Sequence, residues 1–246
     1  MLISFLMKKV IGVFWITVRY LLAHRHSESI GSLFRVQWAR EILGLFNFKI
    51  EVRGELSDIK PMIFVANHMS YIDIPLLMSE VADIVFVSKA EVKKWPILGH
   101  ASRQIETIFI ERSCRDSRDR GRRQIIQSLV NNQSRIVIFP SGTTAIENEM
   151  NWKKGIFEVA HQLNLPVQPI RIRYSKPRTV AYVGKDQLFS HMLNLSQHGD
   201  IGAGIEFHPP ILIQDILEDV EYCRRWCNGN SVVDPAVSVQ QNECMK

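Results

Sequence analysis

Apolar residues in this chain fall into short runs separated by segments of helical period. Strand candidates are Lys49 to Val52, Met62 to Ala66, Ile84 to Val87, Ile105 to Ile110, Arg135 to Phe139, Val167 to Tyr174, Thr179 to Val183 and Ile201 to Phe207. Several are apolar at both alternating positions, as strands covered on two faces by helices must be. Helical segments at Pro75 to Val81, Val92 to Arg103, Asp116 to Asn131 and Trp152 to Leu163 lie between them. This alternation predicts an α/β fold, a mixed and largely buried sheet flanked by helices, with functional groups where strands give way to loops.

The first 48 residues follow another pattern. Val10 to Val18 is an apolar run of nine residues between Lys9 and Arg19. As a helix it would be about 14 Å long, too short for a hydrocarbon core of about 30 Å. The Lys8-Lys9 start is that of a signal peptide, but Ala23-His24-Arg25-His26 makes a poor cleavage site. From Leu33 to Phe46 the period is helical, with Phe34, Val36, Trp38, Ala39, Ile42, Leu43, Leu45 and Phe46 on one broad face and Arg35 inside it. That face can pack on a protein core with Arg35 at its edge, or lie in one leaflet with Arg35 reaching the phosphate layer. The leaflet arrangement is the one favoured. Residues 1–48 are therefore expected to form two membrane-anchoring helices, 49–215 the main domain, and 216–246 a C-terminal helix and loose tail.

Charge strengthens that expectation. The chain has 246 residues and a formal charge of +5. Residues 1–50 hold seven basic residues against Glu28 and Glu41, so the remainder is formally neutral. A basic excess confined to an apolar segment points to an anionic membrane surface more than to nucleic acid. The arginines between Arg112 and Arg123 alternate with Asp116 and Asp119, as on a solvated helix face. With 46% apolar and 22% charged residues the chain can bury one sizeable core. Its four cysteines fit no disulfide framework, and Cys223 with Cys227 lacks the second half of a zinc site.

The strand candidate Met62 to Ala66 runs into Asn67-His68-Met69-Ser70-Tyr71-Ile72-Asp73. Residues five apart lie about 140° apart around a helix, so His68 and Asp73 can meet only across a turn. A helix entering near Asp73 and Pro75 would bring the carboxylate back to the imidazole. Such a pair activates a hydroxyl: the imidazole takes the proton while the carboxylate fixes its tautomer. An isolated pair at this spacing also fits a turn cap and a helix cap. As no Ser or Cys is placed as a third member, the hydroxyl would belong to a substrate.

In this context Asn67-His68 with Asp73 resembles the first motif, NHxxxxD, of the glycerolipid acyltransferase family, which includes 1-acylglycerol-3-phosphate O-acyltransferase. Ile108-Phe109-Ile110-Glu111-Arg112, Phe139-Pro140-Ser141-Gly142-Thr143-Thr144 and Val167-Gln168-Pro169-Ile170 resemble its other motifs, in order. The resemblance covers roughly Glu51 to Tyr174 and makes 49–215 an acyltransferase domain. It implies that His68 and Asp73 are catalytic, with His68 deprotonating an acceptor hydroxyl that attacks an acyl-CoA or acyl carrier protein thioester. It implies a lyso-lipid acceptor at Asn67, Arg112, Ser141, Gly142, Thr143 and Thr144, the Gly142 and Thr143 amides also being oxyanion candidates. Trp95, Pro96, Ile97 and Leu98 are candidates for an acyl groove.

Implied partners are the cytoplasmic face of a membrane, the lyso-lipid and the acyl thioester, with no nucleic acid, cofactor or metal. The third motif departs from the family pattern, since Ser141 stands where a Glu is usual and Thr144 where an Arg is frequent. In the second motif Glu106 replaces the usual Gly. The acceptor expected is 1-acylglycerol-3-phosphate, serving phospholipid biosynthesis. Thr143-Thr144, Ser88 to Val92 with Trp95-Pro96, and Val167 to Pro169 also resemble the lyso-ornithine lipid branch. A serine hydrolase built on Ser141 and His68, a nucleic-acid binder using the arginines from Arg112 to Arg123, and a non-catalytic lipid-binding protein are the readings from other classes.

Overall fold

A computed structural model describes residues 2–23, 31–94, 99, 102–103, 105–111, 114–146 and 150–230. The helices are α1 (Leu2–Ala23), α2 (Ser32–Leu45), α3 (Asp73–Glu80), α4 (Arg115–Asn132), α5 (Gly155–Leu163), α6 (Pro177–Val180), α7 (Leu188–Ser196) and α8 (Ile216–Cys227). The strands are β1 (Phe48–Arg53), β2 (Met62–Ala66), β3 (Ile84–Lys89), β4 (Ile108–Ile110), β5 (Arg135–Ile138), β6 (Pro166–Tyr174), β7 (Ile201–Phe207) and β8 (Ile211–Leu212).

They form one mixed sheet in the order β1-β7-β6-β2-β5-β3-β4, with β8 beside β6. From β6 to β4 all neighbours are parallel, while β7 runs antiparallel to β6. The C-terminal ends of β2, β5 and β6 therefore open on the same edge of the sheet.

Strand β2 is buried at every residue because both faces are covered. Its Met62, Phe64 and Ala66 join a core with Ala39 and Leu43 of α2, Phe46 just after it, and Leu76, Leu77 and Met78 of α3. Ile63 and Val65 join the opposite core, with Ile125 and Leu129 of α4, Phe157 and Ala160 of α5, and Val220, Cys223 and Cys227 of α8. Two-residue alternation thus divides one strand between two layers. Helix α8 belongs to this core. Burial pushes both of its thiols up from the usual range.

Three expectations are corrected. Thr179 to Val183 is not a strand: Pro177 opens the single helical turn α6, and Tyr182 pairs with the loop after β2 instead of joining the sheet. The strand expected from Ile105 begins only at Ile108, because Glu106 holds a left-handed φ of 59° that extended backbone does not accept. The apolar face of α2, expected to lie in a leaflet, packs for much of its length on the protein core. Ala39, Ile42, Leu43 and Phe46 pack inward, and Arg35 is buried, Nη1 lying 3.5 Å from the Ile84 carbonyl. Burial pushes the Arg35 guanidinium down, with Glu106 and Asp83 acting in the opposite direction. The expected helix at Val92 to Arg103 starts with a 3-10 turn, Ala90–Lys94. Most of it, including Trp95 to Leu98, lies outside the described residues.

Helix α1 packs on α2, where the Tyr20 hydroxyl and the Arg19 guanidinium both meet Glu41 and Trp38 Nε1 donates to Thr17 Oγ1 at 3.2 Å. The other side of α1 carries Ile11, Phe14, Trp15 and Leu22 exposed, joined by Leu33 and Phe34 of α2. Among the described residues no helix is long and apolar enough to cross a membrane.

Candidate active site

Where β2 ends, the chain turns through His68 to Ile72 and starts α3 at Asp73. This turn brings Asp73 back against His68, their Oδ2 and Nδ1 lying 2.7 Å apart. Asp73 is fully buried, whereas the His68 side chain is 17% exposed. Donation from Nδ1–H to the carboxylate leaves the Nε2 lone pair for another group. Nothing among the described residues is bonded to Nε2.

The carboxylate is held on both oxygens. Oδ2 also accepts from the Met69 and Ser70 amides at 2.7 and 3.0 Å. Oδ1 accepts from the Tyr174 hydroxyl at 2.6 Å, at the end of β6. Burial and the Asp73 charge push the Tyr174 hydroxyl far above its ordinary range. Just after β5, Phe139 stacks against the imidazole with ring centroids 3.9 Å apart and planes 12° from parallel.

Backbone bonds fasten the turn to its neighbours. The His68 and Met69 carbonyls accept from the Ala145 and Tyr182 amides, each at 2.9 Å. The Tyr71 hydroxyl meets His191 Nδ1 at 3.0 Å, and His191 Nε2–H donates to the Ala181 carbonyl at 2.9 Å. Burial first, then Tyr182, pushes the Tyr71 hydroxyl up.

The acyltransferase family profile matches residues 49–173. Over 216 residues, 86% of this chain and 82% of the relative, the sequence is 31% identical to the lyso-ornithine lipid O-acyltransferase of Pseudomonas aeruginosa PAO1. The chain belongs to the acyltransferase family. This acyltransferase is also 34% identical to the lyso-ornithine lipid O-acyltransferase of Rhizobium meliloti, over 60% of this chain and 50% of that one. To the 1-acyl-sn-glycerol-3-phosphate acyltransferase of Neisseria meningitidis it is 28% identical, over 56% of this chain and 54% of that one. Its fold matches the crystal structure of the Thermotoga maritima 1-acyl-sn-glycerophosphate acyltransferase with a TM-score of 0.57 and 20% identity, covering 89% of this chain and 95% of the other.

The remaining expected site residues of this acyltransferase are placed as follows. Asn67, expected among the acceptor-binding residues, is buried and occupied elsewhere. Its Nδ2 donates to the Ile172 carbonyl at 2.9 Å and its Oδ1 accepts from the Ile172 amide at 2.8 Å. It ties β2 to β6 and gives the acceptor assignment no geometric support. Phe139 to Gly142 form a turn in which the Gly142 amide donates to the Phe139 carbonyl at 2.9 Å and Gly142 takes a φ of 73°. That amide is thereby engaged within its own turn, which weakens it as an oxyanion donor.

Ser141 Oγ donates to the Thr143 carbonyl at 2.9 Å and so does not bond His68, leaving the hydrolase reading without its nucleophile–base contact. Thr143 is exposed, and the Thr144 hydroxyl donates to the Tyr182 carbonyl. Arg112 lies outside the described residues. On α4, Arg120 bonds Ser117 and Arg122 bonds Glu158 and Gln162, as on a solvated face.

Sequence reasoning missed Tyr174 and the role of Phe139. The signal for Tyr174 was present: Ile170, Ile172 and Tyr174 occupy one buried face of β6, and a buried tyrosine hydroxyl needs a partner.

Proposed function

We propose that this acyltransferase moves a fatty acyl group from an acyl thioester to a hydroxyl of a lyso-lipid. One observation carries the mechanism: His68 Nδ1 is held by a buried carboxylate while Nε2 has no protein partner among the described residues. Nε2 takes the acceptor proton as its oxygen attacks the thioester carbonyl. The C–O bond forms, the C–S bond breaks, and the departing thiolate receives the proton back. An alcohol hardly ionises near neutral pH whereas a thiolate leaves readily, so one well-held base is the main requirement.

A lyso-ornithine lipid is the acceptor we favour, in place of the 1-acylglycerol-3-phosphate expected from the motifs. Support comes from the relatives of that name, one matching 86% of this chain at 31% identity, against 56% at 28% for the Neisseria meningitidis relative. Ser141 and Thr144 add to it, since their hydroxyls bond backbone carbonyls and bring no cation toward a phosphate monoester. The second reading, 1-acylglycerol-3-phosphate, keeps the support of Arg112 and of the motif order. Acyl-CoA or acyl carrier protein is the donor.

The enzyme works on the cytoplasmic face of a membrane. The reading is supported by Ile11, Phe14, Trp15 and Leu22 exposed along α1, near exposed Lys8 and Arg19. Purified protein in detergent, offered both lyso-lipids with each thioester and followed by mass spectrometry, tests the proposal. A higher kcat/KM for lyso-ornithine lipid is expected. Preference for 1-acylglycerol-3-phosphate installs the second reading, and lyso-lipid binding without product would indicate a non-catalytic lipid binder.

A further inference from the structure

We infer that Tyr174 is a positioning residue for the His68–Asp73 pair, its hydroxyl donating to the Asp73 oxygen that His68 does not use and so holding the carboxylate that orients the imidazole. This rests on the reading of His68 as the base. The Asp73 carboxylate is wholly buried, and its two oxygens are unequally served. Oδ2 takes His68 Nδ1 and two amides, but Oδ1 takes only the Tyr174 hydroxyl among the described residues. Ser70, whose hydroxyl is buried in the turn, has no partner among the described residues and bonds neither oxygen.

Without the Tyr174 hydroxyl, Oδ1 would be a desolvated anion with no donor. The pair can relieve that only by keeping a proton, on Asp73 itself or on the imidazole opposite. Either way its proton affinity rises, and the neutral imidazole that can act as base appears only at higher pH.

The surroundings make Tyr174 suited to this role. Among the described residues the titratable groups around Asp73 are His68 in its own turn and Tyr174 from β6. Further out stands Tyr71, in contact with His191 of α7 and with Tyr182. None of these carries a hydrogen bond to a described Lys, Arg or Glu. Tyr174 is locked between strands, paired with Ala203 of β7 and edge-on to Phe48 of β1 at 6.0 Å. As its own proton is held by burial and by the Asp73 charge, it donates throughout the working range. It adds no second charge to the interior, and it holds the pair without relaying a proton.

The test is Tyr174→Phe in the full chain, beside His68→Ala, Asp73→Asn and Tyr174→Phe/Asp73→Asn. Tyr174→Phe is expected to lower kcat about tenfold or more with both KM values within about threefold, since a bond to a charged group is lost while both substrate sites stay. The acid limb of its kcat/KM profile should move up by about one pH unit. The double variant should be no less active than Asp73→Asn alone, because Tyr174 acts through Asp73.

A loss equal at every pH, or a double variant that adds the two losses, overturns the inference in favour of a purely structural role. An unchanged Tyr174→Phe profile overturns it too while His68→Ala is inactive. Retained activity in His68→Ala instead overturns the base reading beneath it. Should Tyr174→Phe not accumulate folded, 3-fluorotyrosine at 174 keeps the shape and acidifies the hydroxyl. The limb should then move to lower pH, and no movement overturns the inference.

Discussion

The imidazole of His68 lies flat on the ring of Phe139, 3.9 Å between centroids and 12° from parallel. The stack and the Asp73 bond together fix the ring, one setting its plane and the other its rotation. Phe139→Leu keeps apolar bulk but removes the flat surface, and the imidazolium formed during turnover loses its contact with the π face. It should cost about tenfold in kcat, as expected for a slightly misplaced base, with thermal stability lowered by about 1–2 kcal/mol. Steady-state acyl transfer beside a melting curve separates the two effects.

His68→Ala removes the base, and Asp73→Asn replaces the carboxylate bonded to its Nδ1 with a neutral amide. Each should reduce acyl transfer by about 10²–10⁴-fold. Activity above a tenth of wild type in either, measured as thiol release with product confirmed by mass, would refute the mechanism.

Asn67→Ala should act on stability first. It leaves the Ile172 amide and carbonyl buried without their partners. Two orphaned groups cost about 2–5 kcal/mol, or roughly 5–15 °C in Tm for a chain of this size. Lyso-lipid KM, measured below the new midpoint, should stay near wild type, because the side chain faces β6 and not the opening.

Phe14→Glu with Trp15→Glu should abolish association with vesicles containing anionic lipid. Both side chains are exposed on α1, so folding should be little affected. Flotation reads the result, and undiminished binding would place the membrane contact elsewhere.

Asp83 gives a pH prediction remote from the site. Burial would raise its carboxyl, but the Lys60 hydrogen bond and the Arg135 and Lys60 charges hold it below the usual range. A depressed carboxylate stabilises the fold above its unfolded pKa of about 3.9 and loses that contribution as pH falls through the folded value. Asp83→Asn should therefore melt below wild type near pH 6 and converge with it toward pH 3. A gap that persists at pH 3 would mean that charge is not its cause.

Much of the sheet was legible because buried strands leave unbroken apolar runs, as Met62 to Ala66 does. Thr179 to Val183 has the same composition, yet Pro177 and the pull of the Met69 carbonyl on the Tyr182 amide take it out of the sheet. Helix α7 was missed, since its Leu188, Met192 and Leu195 occur in too short a segment to show a period. Arg35 misled because a long basic side chain among apolar residues suits a phosphate layer and a buried carbonyl alike. Only the position of Ile84 decides between them.

By itself the sequence determined the α/β alternation, the motif order and the meeting of His68 with Asp73, because a turn of five residues between a strand and a helix is local geometry. Tertiary structure alone decided what surrounds that pair. Tyr174 lies 101 residues from Asp73 in sequence, and Phe139 reaches His68 only because β5 and β2 are neighbours in the sheet. Contacts of that range depend on strand order, which the spacing of residues along a chain does not encode.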